Sequence, residues 1–301
     1  MNKVKKVKID IAEARAAELE ATGNYKVLRM LPPPPVAQRV DGVKTYKGIY
    51  TDCETTGLDT DKDEIIELGA VPFTFDHDGR LVEVGAPLQT YNEPANPITE
   101  EITKLTGISA DTVRGCTIGP EFDAAFASVD LVVAHNAGFD RKMVERYCPS
   151  TVRKCWACSQ RDVPWKENGV RATRLEYILM DRGFFYKAHG AIPDCMAALY
   201  ALASPLGNRT GFAYLLDAAR KIEWHVYANN AKYDAKDLLK ERKYKWHTGS
   251  DNRSKVWHKV VDDKEAELLW LAQAVYKSMV NPAEVERVTA FDRYSKRTEV
   301  V

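Results

Sequence analysis

Along most of the chain apolar residues come in short blocks, and the spacing inside each block separates strands from helices. Residues 46–52 form an apolar, β-rich run that stops at the turn-like Thr56-Gly57-Leu58-Asp59, the pattern of a buried strand ending in a loop. Residues 65–75 and 81–91 have the same character on either side of Asp76-His77-Asp78-Gly79 and predict an antiparallel hairpin. Past Pro97 the spacing turns helical, with Thr99 as N-cap ahead of Glu100 and Glu101, and residues 120–127 predict a second helix. Leu131-Val132-Val133-Ala134 is continuously apolar, as a strand covered on both faces should be. Helical spacing resumes over 139–147, 173–182 and 194–203. Strands followed by helices around a buried strand imply an α/β protein, a mixed β-sheet flanked by helices.

The two ends differ from this middle. Residues 9–20 read as a helix and 25–30 as a strand, and Pro32 to Pro35 favour an extended polyproline II spacer. Residues 1–45 are therefore an N-terminal extension with a Pro-rich linker, and the core domain runs over 46–205. Beyond Pro205, residues 224–228 and 255–261 predict strands and 235–243 a helix capped by Asp234. Asp262 and Glu265 resemble a capping box ahead of a helix with Leu268, Leu271, Ala272 and Val275 on one face. Residues 206–301 thus form a small C-terminal α+β module, β-α-β-α in order, with a loose tail after Pro282.

Composition narrows the class without choosing a function. Of 301 residues 45% are hydrophobic and 29% charged, which excludes dominant disorder, collagen and coiled-coil architectures. No apolar run reaches the roughly 18 residues that a membrane helix needs, and the lysine-rich start has no apolar signal region. The expectation is a cytoplasmic chain with no membrane partner. Formal charge sums to zero, yet residues 1–47 carry +5, 48–219 carry −9 and 220–301 carry +4. An acidic middle with basic flanks suits divalent cations in the centre and a polyanion at the ends, although unevenly spread surface charge would look alike. The six cysteines are too few and too scattered for a secreted disulfide framework, and Cys155-Trp156-Ala157-Cys158 lacks the second pair that a zinc site requires.

Candidate chemistry lies in three fragments. Asp52 and Glu54 leave the same side of a strand end, where two carboxylates repel unless one takes a proton or a cation lies between them. Oxygen-only ligands favour Mg²⁺ or Mn²⁺ over zinc. Asp140, in His135-Asn136-Ala137-Gly138-Phe139-Asp140, follows the buried strand and is either a ligand or a helix N-cap. His189 and Asp194, in His189-Gly190-Ala191-Ile192-Pro193-Asp194, bring an imidazole and an acid to one loop.

In that order the three fragments resemble the motifs of the DEDDh 3′–5′ exonucleases, and residues 46–204 are similar to that family throughout, most of all to its epsilon-type proofreading (DnaQ-like) branch, including Leu105-Thr106-Gly107-Ile108. The resemblance implies a ribonuclease-H-like fold and hydrolysis of nucleotides from a 3′ end. It implies that Asp52, Glu54, Asp140 and Asp194 hold two Mg²⁺ or Mn²⁺ ions, that His189 is the general base for water, and that all five are catalytic. It further implies that Thr55, Thr56 and Leu58 line the terminal-nucleotide pocket, with Leu58 as an apolar wedge; His135 has no such role. Cys53, Gly190 and Pro193 depart from the commonest residues of these motifs without removing a ligand.

Between 220 and 260 lie 11 Lys and Arg against 5 acids, interleaved with Trp224, Tyr227, Tyr233, Tyr244, Trp246 and Trp257. Such mixing suits a nucleic-acid strand, and equally a module packed on the core. The expected partner is nucleic acid with single-stranded or frayed 3′ ends, DNA before RNA, and a replication or repair partner is expected through the C-terminal module. An RNA-trimming exoribonuclease and a catalytically silent nucleic-acid-binding subunit are the alternatives.

Overall fold

The computed structural model describes residues 2–249, 254–278 and 280–298, with side chains from residue 11 onward. Helix α1 (Asn2–Ala21) and the short strand β1 (Arg29–Met30) precede the main sheet. The sheet begins with four strands, β2 (Thr45–Thr55), β3 (Ile65–Asp76), β4 (Leu81–Val84) and β5 (Leu88–Tyr91). Helices α2 (Glu100–Thr106), α3 (Ala110–Val113) and α4 (Pro120–Ala127) lead to β6 (Leu131–Ala134), α5 (Ala137–Val144) and β7 (Cys155–Cys158). Next come α6 (Leu175–Asp181), β8 (Phe184–Phe185), α7 (Ala191–Ala203), the pair β9 (Pro205–Leu206) and β10 (Arg209–Thr210), and α8 (Gly211–Arg220).

The main sheet has the order β4-β3-β2-β6-β7, with β5 also paired to β3. β2 and β3 are antiparallel, whereas β6 and β7 add in parallel, so the sheet is mixed, as the apolar pattern implies. Because side chains alternate along a strand, neighbours enter different layers. Tyr50, Val71 and Phe73 pack with Leu199 and Phe212 on one face, and Ile49, Leu68 and Val132 pack with Phe122 and Met143 on the other. Phe212 meets Phe73 and Phe75 edge-on at 5.4 and 5.0 Å between centroids. Full burial of each such ring contributes about 1.5–3 kcal/mol. Cys148 and Cys158 lie in one layer and Cys155 borders the other, so these thiols do not converge.

Several sequence expectations need correcting. The second arm of the hairpin is two strands, β4 and β5, separated at Gly85-Ala86-Pro87, where proline cannot donate to a ladder. Cys155–Cys158 is a parallel edge strand that no periodicity marks, because four residues are too few to show one. Arg29–Met30 pairs in parallel with Phe184–Phe185, which ties the N-terminal segment to the core just before its prolines.

After α8 follow β11 (Glu223–Ala228), α9 (Lys236–Glu241), β12 (Lys245–His247), β13 (Val256–Val261), α10 (Lys264–Trp270) and β14 (Glu284–Val288). These strands form a second sheet of order β12-β13-β11-β14. The chain after Pro282 is thus no loose tail: β14 pairs along β11, and the β-α-β-α reading omitted two strands. Asp234 caps nothing, since it lies within a 3₁₀ turn before α9. The cap of α10 is Asp263, not Asp262; its side chain accepts the N–H of Ala266 at 3.0 Å. Thr99 does cap α2, accepting the N–H of Ile102 at 3.2 Å. No helix among the described residues is long and apolar enough to cross a membrane.

Candidate active site

Strand β2 carries Asp52 and Glu54 on one face, and its register sets them opposite Gly69 and Glu67 of β3. Gly69 is what lets a helix reach this point. A Cβ there would lie 2.6 Å from the Cβ of Ala191 and 2.9 Å from its carbonyl carbon. With no side chain in the way, the first turn of α7 rests on the sheet and delivers Asp194. The buried Glu67 fastens that turn, accepting the N–H of Ala191 at 3.1 Å, and is itself held by Gln89. As a result one carboxylate oxygen from each of Asp52, Glu54 and Asp194 lies within 4.8 Å of the others.

Asp140 stands beside this trio, outside that radius. It is buried in the first turn of α5, whose N-cap is Asn136, so the alternative reading of Asp140 as the cap does not hold. The thiol of Cys53 donates to its Oδ1 at 3.5 Å. Burial pushes Asp52 well above the ordinary carboxyl range, and Asp140, Asp194 and Glu54 push it further by repulsion. Burial, then Asp194 and Glu67, raises Glu54 to about 7. Asp140 is raised to about 7, chiefly by burial. Asp194 also rises with burial, opposed by hydrogen bonds from Tyr186, Gly190 and His189.

His189 adopts a left-handed backbone, φ 64°, unusual for a residue with a Cβ. Asp194 Oδ2 stabilises it, accepting the N–H groups of His189 at 3.0 Å and Gly190 at 3.3 Å. The half-exposed ring lies with Nε2 3.8 Å from Oε1 of Glu176 on α6. Tyr186 donates its hydroxyl to the other oxygen of Asp194. Thr55 Oγ1 donates to the carbonyl of Gly57 at 2.6 Å, and Thr56 Oγ1 donates to Asp63 at 3.0 Å, so both threonines shape the loop after β2. Leu58 at its tip is 86% exposed. His135 bridges Ser159 at 2.9 Å and the Thr173 carbonyl at 2.8 Å, and burial lowers its pKa.

Glu67, Gly69, Glu176 and Tyr186 escaped the sequence reading. Only Glu67 leaves a trace there, as a lone acid amid the apolar Ile65-Ile66 and Leu68-Gly69-Ala70. Gly69 acts through the sequence-distant Ala191, whereas Glu176 and Tyr186 lie near the residues they touch but carry no pattern that marks the contact.

The donor set fits a divalent cation. Crowded carboxylates held above their usual range relieve their repulsion by binding either protons or a cation, and an all-oxygen set matches a hard one.

A family model described as exonuclease matches residues 49–202. A PolC-type DNA polymerase III from Caldanaerobacter subterraneus subsp. tengcongensis is 39% identical over 101 residues, 32% of this chain and 7% of that protein. The DNA polymerase III subunit epsilon of Treponema pallidum is 39% identical over 93 residues, 30% of this chain and 40% of that protein. A structure of E. coli exonuclease I with a dT13 oligonucleotide aligns with TM-score 0.47 and 17% identity, over 72% of this chain and 63% of that one. The chain spans less than a tenth of the PolC-type polymerases it matches and under half of the epsilon subunit.

Proposed function

The chain belongs to the exonuclease family, and we propose that within it this protein hydrolyses phosphodiester bonds from the 3′ end of single-stranded or frayed DNA. In this reading residues 46–205 are the catalytic domain, 1–45 an extension and 206–301 an accessory module, except that α8 packs into the catalytic core through Phe212, Leu215 and Leu216. The observation that carries it is the meeting of Asp52, Glu54 and Asp194 within 4.8 Å, with the buried Asp140 beside them.

Asp52, Glu54, Asp140 and Asp194 would hold two Mg²⁺ or Mn²⁺ ions, which when bound supply Lewis-acid stabilisation of charge on the phosphate oxygens. The side chains do the rest. His189 takes the proton of the attacking water at a ring nitrogen, and Glu176, 3.8 Å from Nε2, orients the imidazole and stabilises its cation. Tyr186 fixes the rotamer of Asp194. Thr55 and Thr56 set the loop against which the terminal nucleotide rests, and the exposed Leu58 contacts the last base.

A 5′-labelled oligonucleotide incubated with Mn²⁺ tests the polarity and the substrate together. The expected product is a ladder shortening from the 3′ end, faster on DNA than on matched RNA, and slowed at least about a hundredfold by His189→Ala. Full-length DNA and RNA surviving at high enzyme would overturn the proposal; faster loss of RNA would transfer it to the exoribonuclease reading.

The raised carboxyl groups make a second prediction. Between the ordinary values near 4 and the raised values near 7 the folded state binds more protons than the unfolded one, so this site loses stability as pH rises through that window. Mn²⁺ is therefore expected to raise the melting temperature more at pH 8 than at pH 6, where protons compete for the same oxygens. An equal shift at both values would show that the cation binds elsewhere.

A further inference from the structure

Between the core and the second sheet runs a cleft of about 790 Å³. Its core wall starts at Leu58, the tip of the loop that follows Asp52 and Glu54, and continues over Phe139 and Arg161. The facing wall is one face of the second sheet: the register sets Lys245 opposite His258 and His258 opposite Tyr227, which turns Lys245 and His258 to the same side. Acids in the lining are already neutralised, Glu223 by Arg293 at 3.4 Å and Asp59 by Lys62 at 3.2 Å. Among the described residues neither Arg161 nor Lys245, exposed on opposite walls, forms a salt bridge, and Arg161 has only a longer-range attraction to Asp162. The cleft therefore carries excess positive charge from both sides, beginning at the active-site loop.

From this geometry we propose that the cleft holds the phosphate backbone of a single-stranded nucleic acid upstream of its 3′-terminal nucleotide. This rests on the reading of the carboxylate site as an exonuclease centre. Cations on two walls grip a chain of phosphates and release its counterions, and Phe139 offers a base an apolar surface. The competing track is the tryptophan face of the second sheet, where Trp224 and Tyr244 are covered by other side chains but the exposed Trp246 lines a second cavity with Trp257 and Lys255. Trp246 and Trp257 meet edge-on at 5.3 Å, Lys264 covers Trp224 at 3.8 Å, and Tyr244 stacks on Trp270.

The test measures the full chain binding a labelled single-stranded oligonucleotide in EDTA, where no cleavage occurs, across a salt series. Arg161→Glu and Lys245→Glu should each weaken binding about tenfold at low salt. Arg161→Gln and Lys245→Gln, milder changes, should each reduce the log–log salt slope by about 0.7. Trp246→Ala, on the opposite face, should leave affinity unchanged. Wild-type affinity and slope in the Gln variants, or a large loss in Trp246→Ala alone, would overturn the cleft. Wild-type protein that binds in this way yet releases no nucleotide in Mn²⁺ would instead overturn the exonuclease reading and leave the cleft standing.

Discussion

Replacing Asp52 with Asn is expected to stop nucleotide release while raising the melting temperature of the metal-free protein. The charge that the reaction needs is the charge that the fold resists. Asp52 is held above the ordinary carboxyl range by burial and by four neighbouring acids, and each pKa unit of such a shift corresponds to about 1.4 kcal/mol. An amide removes that repulsion and nearly keeps the shape. At pH 8 in EDTA the variant should melt higher, by roughly 2–4 °C for each kcal/mol relieved. Toward pH 5, as acid favours the neutral carboxyl that burial and the neighbouring acids already favour, the gain should shrink. Activity should fall about a thousandfold, as expected when some 4 kcal/mol of transition-state stabilisation is lost. A variant that melts lower in EDTA at pH 8 would show that Asp52 is an ordinary stabilising acid and not part of a strained site.

The other large effect is expected one residue beyond a proposed ligand. Arg141 follows Asp140, is fully buried, and spends its guanidinium on the chain's far end. It donates to the carbonyls of Arg293 at 2.6 Å, Phe291 at 2.7 Å and Val152 at 3.3 Å, and its Nε donates to Glu145 at 2.7 Å. The same segment adds to the edge of the main sheet, where Ala290 accepts the N–H of Trp156 at 2.8 Å. Arg141→Met keeps the bulk and strands these acceptors, which should destabilise the fold by about 3–5 kcal/mol. Limited proteolysis should then cut near residues 289–298, and nucleotide release should drop with the displacement of α5. Unchanged melting and an intact C-terminal segment would show that the carbonyls find water instead.

Much of the fold and of the candidate site was legible because its signals are local. The apolar runs of β2, β3 and β6 and the helical spacing of α4 and α7 announce themselves within a dozen residues. Acid pairs at strand ends and an imidazole before a helix are likewise chemical types at fixed spacing. The short strands β7, β12 and β14 were illegible or misread, because three to five residues show no period and their pairing partners lie elsewhere.

What the sequence by itself determined is the order of the candidate residues, four carboxylates and a histidine, together with the mixed sheet that would carry them. Tertiary structure alone decided how closely they meet. Glu67 reaches the start of α7 across 124 residues, Gly69 leaves the space that brings Asp194 to Asp52, and Arg141 holds a segment 150 residues away. It also decided that the second sheet turns its histidine and lysine face to the core and forms the cleft. Such contacts depend on which surfaces pack together, and packing partners leave no periodic mark in either stretch of chain.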